Sequence, residues 1–266
     1  MMAVVNPTVD ITALVAALRG PLEHGLVAVD FDGTLAPIVP DPADSRPAPG
    51  AVEALRALAE RGTRIAVITG RDARTVIELG GLDGIPGLII EGLYGAEQWR
   101  DGTLQSPPEP EAMRRLRAQL PELLAAADPA VWIEDKRLSL VVHGRRAADP
   151  EASLDPLRVP IAHLGAELGL DVHPGRGVIE LRLPGYDKGV ALRRLVEQVR
   201  PATVLFVGDD VGDLPAFDAI AELRRVGTPA WSVAVVSTEV PEVAEAADVQ
   251  VDGPEGVVAL LAALTG

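Results

Sequence analysis

The stretch 26–35, LVAVDFDGTL, decides the fold of this 266-residue chain. Its four apolar residues predict a short buried strand that ends at Asp30. Side chains two positions apart in an extended segment face the same side, so Asp30 and Asp32 point the same way. Gly33 permits a close approach of the backbone, and Thr34 can offer a hydroxyl to an anion. The stretch therefore predicts a strand end that presents paired carboxylates.

The segments around this stretch alternate strands and helices. Strands are predicted over 26–29, 64–68 and 87–90, and helices over 51–60 and 71–79, after an N-terminal helix over 8–18 that Thr8 or Asp10 could cap. The same rhythm returns later, with helices over 188–199, 213–220 and 254–264 and strands over 203–207 and 232–236. Such alternation is typical of an α/β fold with a doubly wound parallel sheet.

The order of elements changes between the two halves of this pattern. Residues 101–110 are rich in proline and polar groups and are predicted to be a connection. Helices follow over 111–127 and 151–168, the second a candidate for kinking at Pro156 and Pro160, and strands over 131–134, 138–143, 170–173 and 178–183. This α-β-β-α-β-β order predicts an inserted α+β domain over 101–183, with 1–100 and 184–266 forming the core.

Composition limits the partners of the chain. The formal net charge is -15 and there are no cysteines. We therefore expect no nucleic acid, no anionic membrane, no disulfide framework and no cysteine-based metal site. The first 18 residues lack the pattern of a signal peptide, and no apolar run reaches the ~18 residues that span a bilayer, so we expect a soluble cytoplasmic protein.

Three of the predicted strands end in polar residues that could form one site. The residues that follow them are Asp30 and Asp32; Thr69 and Arg71; and Asp209, Asp210 and Asp213. Ligands bind at the carboxyl ends of parallel strands, so these residues are expected to converge. Their hard oxygen ligands suit Mg²⁺ better than Zn²⁺. Simpler roles stay open: a solvated turn at 30–34, a surface lysine at 188, and helix caps at Thr69, Asp210 or Asp213.

Four short motifs in this order resemble those of the haloacid dehalogenase superfamily of phosphatases. They are DFDGT at 30–34, TGR at 69–71, Lys188, and GDDVGD at 208–213, and the inserted block resembles a C2-type cap. The resemblance implies that Asp30 attacks phosphorus, Asp32 is the general acid and base, Thr69 binds phosphoryl oxygens and Lys188 neutralises charge. It implies Mg²⁺ on the Asp30 carboxylate, the Asp32 carbonyl and Asp209, with Asp210 and Asp213 as supporting or additional ligands.

The inserted block is similar to that of one branch of this superfamily, the trehalose-6-phosphate phosphatases. The similar segments are WIEDKRLSLVVHGR at 132–145, GRGVIELRLPGYDKG at 175–189 and YGAE at 94–97. The substrate-binding residues are assigned accordingly as Gly70, Arg71, Glu134, Lys136, Arg145, Arg176 and Glu180. Glu134 and Glu180 can share one sheet face, with Asp135 on the other. The phosphatase chemistry needs no imidazole, so His143 is expected to have a positional role.

The expected activity is hydrolysis of trehalose 6-phosphate, a small-molecule sugar phosphate, with a functional link to a trehalose-6-phosphate synthase. Two alternatives stay open: a related phosphatase for sucrose-phosphate or mannosyl-phosphoglycerate, and a non-catalytic domain that binds sugar phosphates. The sequence departs from the family pattern at Phe31, at Thr69 and in the fourth motif, which lacks Thr-Asp-Glu after the Asp pair. These departures weaken the assignment of the disaccharide, whereas the acidic position at Asp213 is kept.

Overall fold

The computed structural model describes residues 10–175, 177–236 and 241–266. These residues form two compact units, of which the smaller is Ser106–Tyr186 and the larger contains the chain on both sides of it. No helix in the described ranges is long and apolar enough to cross a membrane. The boundary at Ser106 lies five residues beyond the predicted one, because residues 103–105 pair within the larger unit.

The first part of the larger unit alternates strands and helices. In chain order these are α1 (Ile11–Leu18), β1 (Leu26–Val29), α2 (Ala51–Glu60), β2 (Arg64–Ile68), α3 (Ala73–Gly80), β3 (Ile89–Gly92), β4 (Glu97–Arg100) and β5 (Thr103–Gln105). Asp10 caps α1 by accepting a hydrogen bond from the Thr12 N–H, whereas Thr8 lies outside the described residues. The bounds of β1, α2 and β2 agree with the prediction.

The hairpin of β4 and β5 corrects the prediction that residues 101–110 are only a connection. Its two-residue turn is Asp101-Gly102, with φ angles of 50° and 75°. Both angles lie in the left-handed region that two-residue hairpin turns require, and Asp-Gly is a favoured pair for such turns. The sequence therefore carried a signal for this hairpin.

The smaller unit contains α4 (Glu111–Leu123), β6 (Trp132–Asp135), β7 (Ser139–His143), α5 (Pro150–Leu168), β8 (Asp171–Gly175) and β9 (Val178–Arg182). The predicted α-β-β-α-β-β order is confirmed, and the strands form an antiparallel sheet in the order β6-β7-β9-β8. One face of this sheet is apolar and packs on α4 and α5 through residues that include Leu140, Ile179 and Leu181. Helix α5 is continuous through Pro156 and Pro160, so neither proline interrupts it.

The larger unit continues with α6 (Lys188–Val199), β10 (Val204–Gly208), α7 (Leu214–Arg225), β11 (Ala230–Val236), α8 (Pro241–Ala246), β12 (Val249–Asp252) and α9 (Gly253–Thr265). Over the described residues its sheet has the order β12-β11-β10-β1-β2-β3-β4-β5. Neighbouring strands are parallel from β12 to β3. The prediction missed α8 and β12, which have only six and four residues.

Both faces of this sheet are covered, as a doubly wound fold requires. Val27 and Val29 of β1 join a core that also contains residues of α1, α2 and α9. Leu26 and Ala28 point the other way, into a core built with α6 and α7. The fully buried β1 lies between β10 and β2 and runs parallel to both. The carboxyl ends of these three strands therefore meet at one edge of the sheet.

Candidate active site

Asp30 and Lys188 lie at the centre of the polar residues found where the carboxyl ends of β10, β1 and β2 meet. Asp30 follows β1 directly, and its N–H donates to the carbonyl of Val207 in β10 (2.9 Å). Lys188 is the first residue of α6, whose N-terminus Asp187 caps by accepting from the Val190 N–H. The Lys188 ammonium lies 2.9 Å from Asp30 Oδ1, and both side chains are buried. Residues that are 158 positions apart in the sequence are thus brought into one ion pair.

Asp213 and Asp209 complete this group, which we call the strand-end cluster: Asp30, Lys188, Asp209 and Asp213. Asp213 Oδ1 accepts from the Lys188 ammonium at 2.7 Å, and its Oδ2 accepts the backbone N–H groups of Asp209 and Asp210 at 2.9 and 3.1 Å. Asp209 Oδ1 accepts from the Thr34 hydroxyl at 2.9 Å. The loop carrying Thr34 lies against Asp209 so closely that a Cβ on Gly33, where φ is +81°, would be 2.0 Å from Asp209 Oδ2.

Burial makes the ionised form of the cluster's carboxyl groups less favourable. Burial raises the pKa of Asp30 well above its ordinary value, Lys188 opposes the shift, and the neighbouring aspartates add to it. Burial, followed by repulsion from Asp213 and Asp210, raises the pKa of Asp209 to about 7. Burial likewise raises the pKa of Asp213 to about 6 against the pull of Lys188. Burial opposes charge on Lys188 too, but Asp213 and Asp30 raise its pKa well above the usual value.

The cluster fits a divalent cation. One carboxylate oxygen from each of Asp30, Asp209 and Asp213 lies within 4.8 Å of the others, and all three residues are buried. Three carboxylates and one ammonium leave two negative charges when all are ionised, which a divalent cation would neutralise. Oxygen ligands alone suit a hard ion such as Mg²⁺. The chain's own residues therefore fit the metal that its motifs imply.

Asp32 has a different environment from Asp30. Arg71 donates two hydrogen bonds to its carboxylate, from Nε to Oδ2 (2.5 Å) and from Nη2 to Oδ1 (2.7 Å), and Ser45 donates a third (2.9 Å). The Arg71 Nη1 donates to the carbonyl of Pro42. All three guanidinium nitrogens of Arg71 thus donate within the larger unit, and its role in substrate binding stays a prediction. Ser45 was missed, because nothing in its proline-rich loop distinguishes this residue.

The remaining predicted residues of this edge take mixed roles. Thr69 follows β2 and is buried, and its hydroxyl accepts from the Arg71 N–H at 3.1 Å. It does not cap α3, because Asp72 does so by accepting from the Thr75 N–H. Asp210 caps the short turn that follows it, and its side chain is 55% exposed, 3.9 Å from the Lys188 ammonium. Gly70 lies against the Tyr94 ring, where a Cβ would come within 2.8 Å.

The smaller unit carries Glu134 and Glu180 on the polar face of its sheet, meaning the side of Trp132, Glu134, Ser139, His143 and Glu180. Glu134 and Glu180 both lie opposite Val141 in the register and so share this face. Ser139 donates to Glu180 Oε1 at 2.9 Å, and the Lys136 ammonium lies 3.9 Å from Glu134 Oε2. Arg145 is exposed. Arg176 lies outside the described residues.

Asp135 confirms the predicted alternation along β6. It points to the helical side of the sheet, where Arg117 of α4 donates to both of its carboxylate oxygens, from Nε at 2.5 Å and from Nη2 at 2.8 Å. The Arg117 hydrogen bonds lower the pKa of Asp135 below its ordinary value. The neighbouring acids Glu134 and Asp135 therefore have separate environments on opposite faces of one strand.

The sheet order, the strand-end carboxylates and the inserted α+β unit together define a haloacid dehalogenase-like hydrolase fold. Solved structures with this fold include a haloacid dehalogenase-like hydrolase from Bacteroides thetaiotaomicron, with a TM-score of 0.65 and 18% identity over 90% of this chain and 98% of that one. The C-terminal domain of Candida albicans trehalose-6-phosphate phosphatase superposes with a TM-score of 0.79 at 21% identity, covering 98% of both chains.

The chain belongs to the trehalose-phosphatase family, whose model matches residues 28–255. A trehalose-phosphate phosphatase of Mycobacterium leprae is 35% identical over 243 residues, which are 86% of this chain and 54% of that protein. An uncharacterized glycosyl hydrolase of Mycobacterium tuberculosis is 39% identical over 207 residues, 73% of this chain and 15% of that protein. The chain thus spans about half the length of the trehalose-phosphate phosphatases that it matches.

Proposed function

We propose that this protein is a Mg²⁺-dependent phosphatase that hydrolyses trehalose 6-phosphate through an aspartyl-phosphate on Asp30. The observation that carries the proposal is the strand-end cluster, in which a buried lysine and three buried aspartates meet at the carboxyl ends of neighbouring strands. Membership of the trehalose-phosphatase family supports the choice of substrate class.

In this proposal Asp30 is the nucleophile. A carboxylate oxygen of Asp30 bonds to phosphorus, the bond between phosphorus and the sugar oxygen breaks, and Asp32 in its protonated form gives that oxygen a proton. This leaves Asp32 as the carboxylate that Arg71 holds. Asp32 then removes a proton from water as the water attacks the phosphoryl group, which releases phosphate and restores Asp30. The Lys188 ammonium, 2.9 Å from Asp30 Oδ1, offsets the charge that develops on the phosphoryl oxygens.

The rest of the larger unit binds and orients the phosphoryl group. Thr69 and the backbone of Gly70 hold phosphoryl oxygens at the end of β2. Arg71 acts through Asp32, whose carboxylate it holds with two hydrogen bonds. Bound Mg²⁺ would supply an electrostatic clamp on the phosphoryl oxygens. Its ligands would be the carboxylates of Asp30 and Asp209 and the carbonyl of Asp32, with Asp213 and Asp210 close by.

The smaller unit recognises the sugar in this proposal. A disaccharide presents many hydroxyls, which carboxylates and paired cations bind well. Glu134 and Glu180 share the polar face, and the Lys136 ammonium lies 3.9 Å from Glu134 Oε2. The residues we assign to the sugar phosphate are Glu134, Lys136, Arg145, Arg176 and Glu180. A cytoplasmic location and a functional link to a trehalose-6-phosphate synthase belong to the same proposal.

The test is phosphate release from a panel of esters with Mg²⁺ and with a chelator. The panel contains trehalose 6-phosphate, sucrose 6-phosphate, mannosyl-3-phosphoglycerate and p-nitrophenyl phosphate. We expect trehalose 6-phosphate to have the highest kcat/KM and all activity to need Mg²⁺. A higher kcat/KM on another sugar ester would show that trehalose 6-phosphate is not the preferred substrate. Activity in the presence of the chelator would contradict the requirement for Mg²⁺. No phosphate release from any ester would favour a non-catalytic domain that binds sugar phosphates.

A further inference from the structure

The polar face of the small sheet carries a stacked pair of rings that the proposed chemistry does not use. Trp132 and His143 lie opposite each other in the register of β6 and β7. Their rings are stacked, with centroids 4.1 Å apart and planes within 6° of parallel. The Arg146 guanidinium carbon lies 4.6 Å from the centre of the Trp132 ring. Stacking on the Trp132 ring therefore holds the imidazole in one position and one plane.

The imidazole makes one polar contact of particular interest. His143 Nε2 lies 2.9 Å from Glu134 Oε2. An ionised carboxylate can only accept a hydrogen bond, so Nε2 carries the hydrogen and donates it. Glu134 is two residues along β6 from Trp132 and on the same face, which places its carboxylate diagonally across from His143. The stack and the hydrogen bond thus join three side chains into one unit.

The position of Glu134 gives this contact a consequence for binding. The Glu134 side chain is 32% exposed, whereas the His143 side chain is only 11% exposed. A glutamate on an exposed sheet face has several rotamers, and fixing them when a ligand binds costs affinity. A carboxylate that is already held at one oxygen pays less of that cost. The buried imidazole therefore holds, through one hydrogen bond, a carboxylate that is partly exposed to solvent.

We infer that His143 is a positioning residue of the sugar site, an inference that rests on the proposed function of Glu134. Through its Nε2–H it holds the Glu134 carboxylate in the orientation that receives sugar hydroxyls, and Trp132 keeps the imidazole plane in place. His143 contacts neither the phosphoryl group nor the sugar, and acts only through Glu134.

A purely structural role would stabilise the sheet without affecting sugar binding, and two amide variants separate the two roles. Glutamine at position 143 places an N–H donor near the location of Nε2 and can still reach Glu134. Asparagine is one methylene shorter, places its amide near Nδ1 and cannot. Both variants lose the ring stack equally, so they form a matched pair.

The experiment measures kcat and KM of the full chain with Mg²⁺ on p-nitrophenyl phosphate and on the sugar ester that the wild type hydrolyses best. We expect His143→Asn to raise KM for the sugar ester about 3- to 10-fold, the size expected for one side chain that must be ordered on binding. His143→Gln recovers most of this loss. In a Glu134→Ala background, His143→Asn causes no further rise in KM.

Several results would overturn the inference. Equal KM values for the asparagine and glutamine variants would show that the donor at Nε2 does not matter. A full additional loss in the Glu134→Ala background would show that His143 acts by another route. An equal loss on p-nitrophenyl phosphate would point to general damage, which thermal melting of each variant also reports. If the wild type prefers another sugar ester, only the proposed substrate fails; if it hydrolyses no sugar ester, both proposals fail.

Discussion

The strand-end cluster and Glu134 on the polar face of the small sheet are opposite environments for a carboxylate. In the cluster, Asp30, Asp209 and Asp213 are buried around one lysine, and burial raises the pKa of each carboxyl group. On the small sheet, Glu134 is partly exposed and has partners on its own unit, His143 and Lys136. Buried, crowded carboxylates leave unfavourable negative charge that a divalent cation can neutralise. Partly exposed, paired carboxylates suit the recognition of a polar ligand.

This contrast leads to a division of labour in our proposal, with chemistry in the larger unit and sugar recognition in the smaller. Variants of the cluster should lower the turnover of every phosphate ester. Variants of the polar face should lower activity on a sugar ester more than activity on p-nitrophenyl phosphate, which has no sugar. The predictions below test this difference.

Among the variants that keep the Asp30 nucleophile, the largest effect is expected for Lys188→Met. Removing the ammonium leaves Asp30 and Asp213 buried without their cation, and breaking a buried pair in this way costs about 3–5 kcal/mol in the free energy of unfolding. We expect kcat to fall about 10³-fold on both trehalose 6-phosphate and p-nitrophenyl phosphate, because charge on the phosphoryl group is no longer offset. Chemical denaturation and steady-state kinetics measure the two effects. A variant with more than a tenth of wild-type kcat would place Lys188 outside the chemistry.

A smaller effect is expected for Arg71→Lys, which keeps the charge but loses the paired hydrogen bonds to Asp32. If Arg71 acts through Asp32, kcat should fall about 10- to 100-fold on both esters while KM changes less than threefold, since general acid–base catalysis contributes about 10²–10⁴-fold. Steady-state kinetics checks this split. A rise in KM at unchanged kcat would instead support the predicted role of Arg71 in substrate binding.

Glu180→Ala should affect the two esters differently. The variant removes a carboxylate of the polar face and leaves the strand-end cluster intact. We expect KM for trehalose 6-phosphate to rise about 10-fold, as for the loss of one good hydrogen-bonding group to a sugar, with less than a twofold change for p-nitrophenyl phosphate. Equal effects on both esters would contradict the division of labour.

The smallest effect is expected for Asp135→Asn, the matched control on the opposite face of the small sheet. It should leave the kinetics of both esters unchanged and cost at most about 1 kcal/mol of stability, because the pair with Arg117 is partly exposed. The pKa of Asp135 is lowered in the folded state. Its contribution is therefore present at neutral pH and is lost as the pH falls below about 4 through the folded pKa. Melting curves at pH 7 and pH 3 check this; a difference that grows in acid would contradict it.

Much of the larger unit could be predicted because its signals are local. The apolar runs of β1 and β2 and the helical spacing of α2 fix their bounds. The hairpin at Asp101-Gly102 was missed although its turn pair is a known signal. Short elements such as α8 and β12 carry too few residues to reveal a period.

For the site, too, the sequence could not predict the contacts that depend on loop geometry or strand register. The rule for parallel strands was enough to predict that Asp30 and Asp209 converge. Lys188 begins a helix, and only the resemblance to the haloacid dehalogenase superfamily assigned it to the same site. The rule and the resemblance could not predict that Arg71 binds Asp32, since residues 39 positions apart meet only through the loop geometry between β1 and β2. Nor could they predict the stack of Trp132 on His143, which depends on the register of β6 against β7.

The central claim is that Asp30 is the nucleophile, and Asp30→Asn tests it most directly. The measurement is phosphate release from trehalose 6-phosphate with Mg²⁺ by the wild type and the variant, with melting curves for both. Because the amide cannot attack phosphorus but keeps the shape of the side chain, the account predicts at least a ~10⁴-fold loss of turnover, with a melting temperature no more than a few degrees lower. A folded variant that releases phosphate at more than a tenth of the wild-type rate would contradict it.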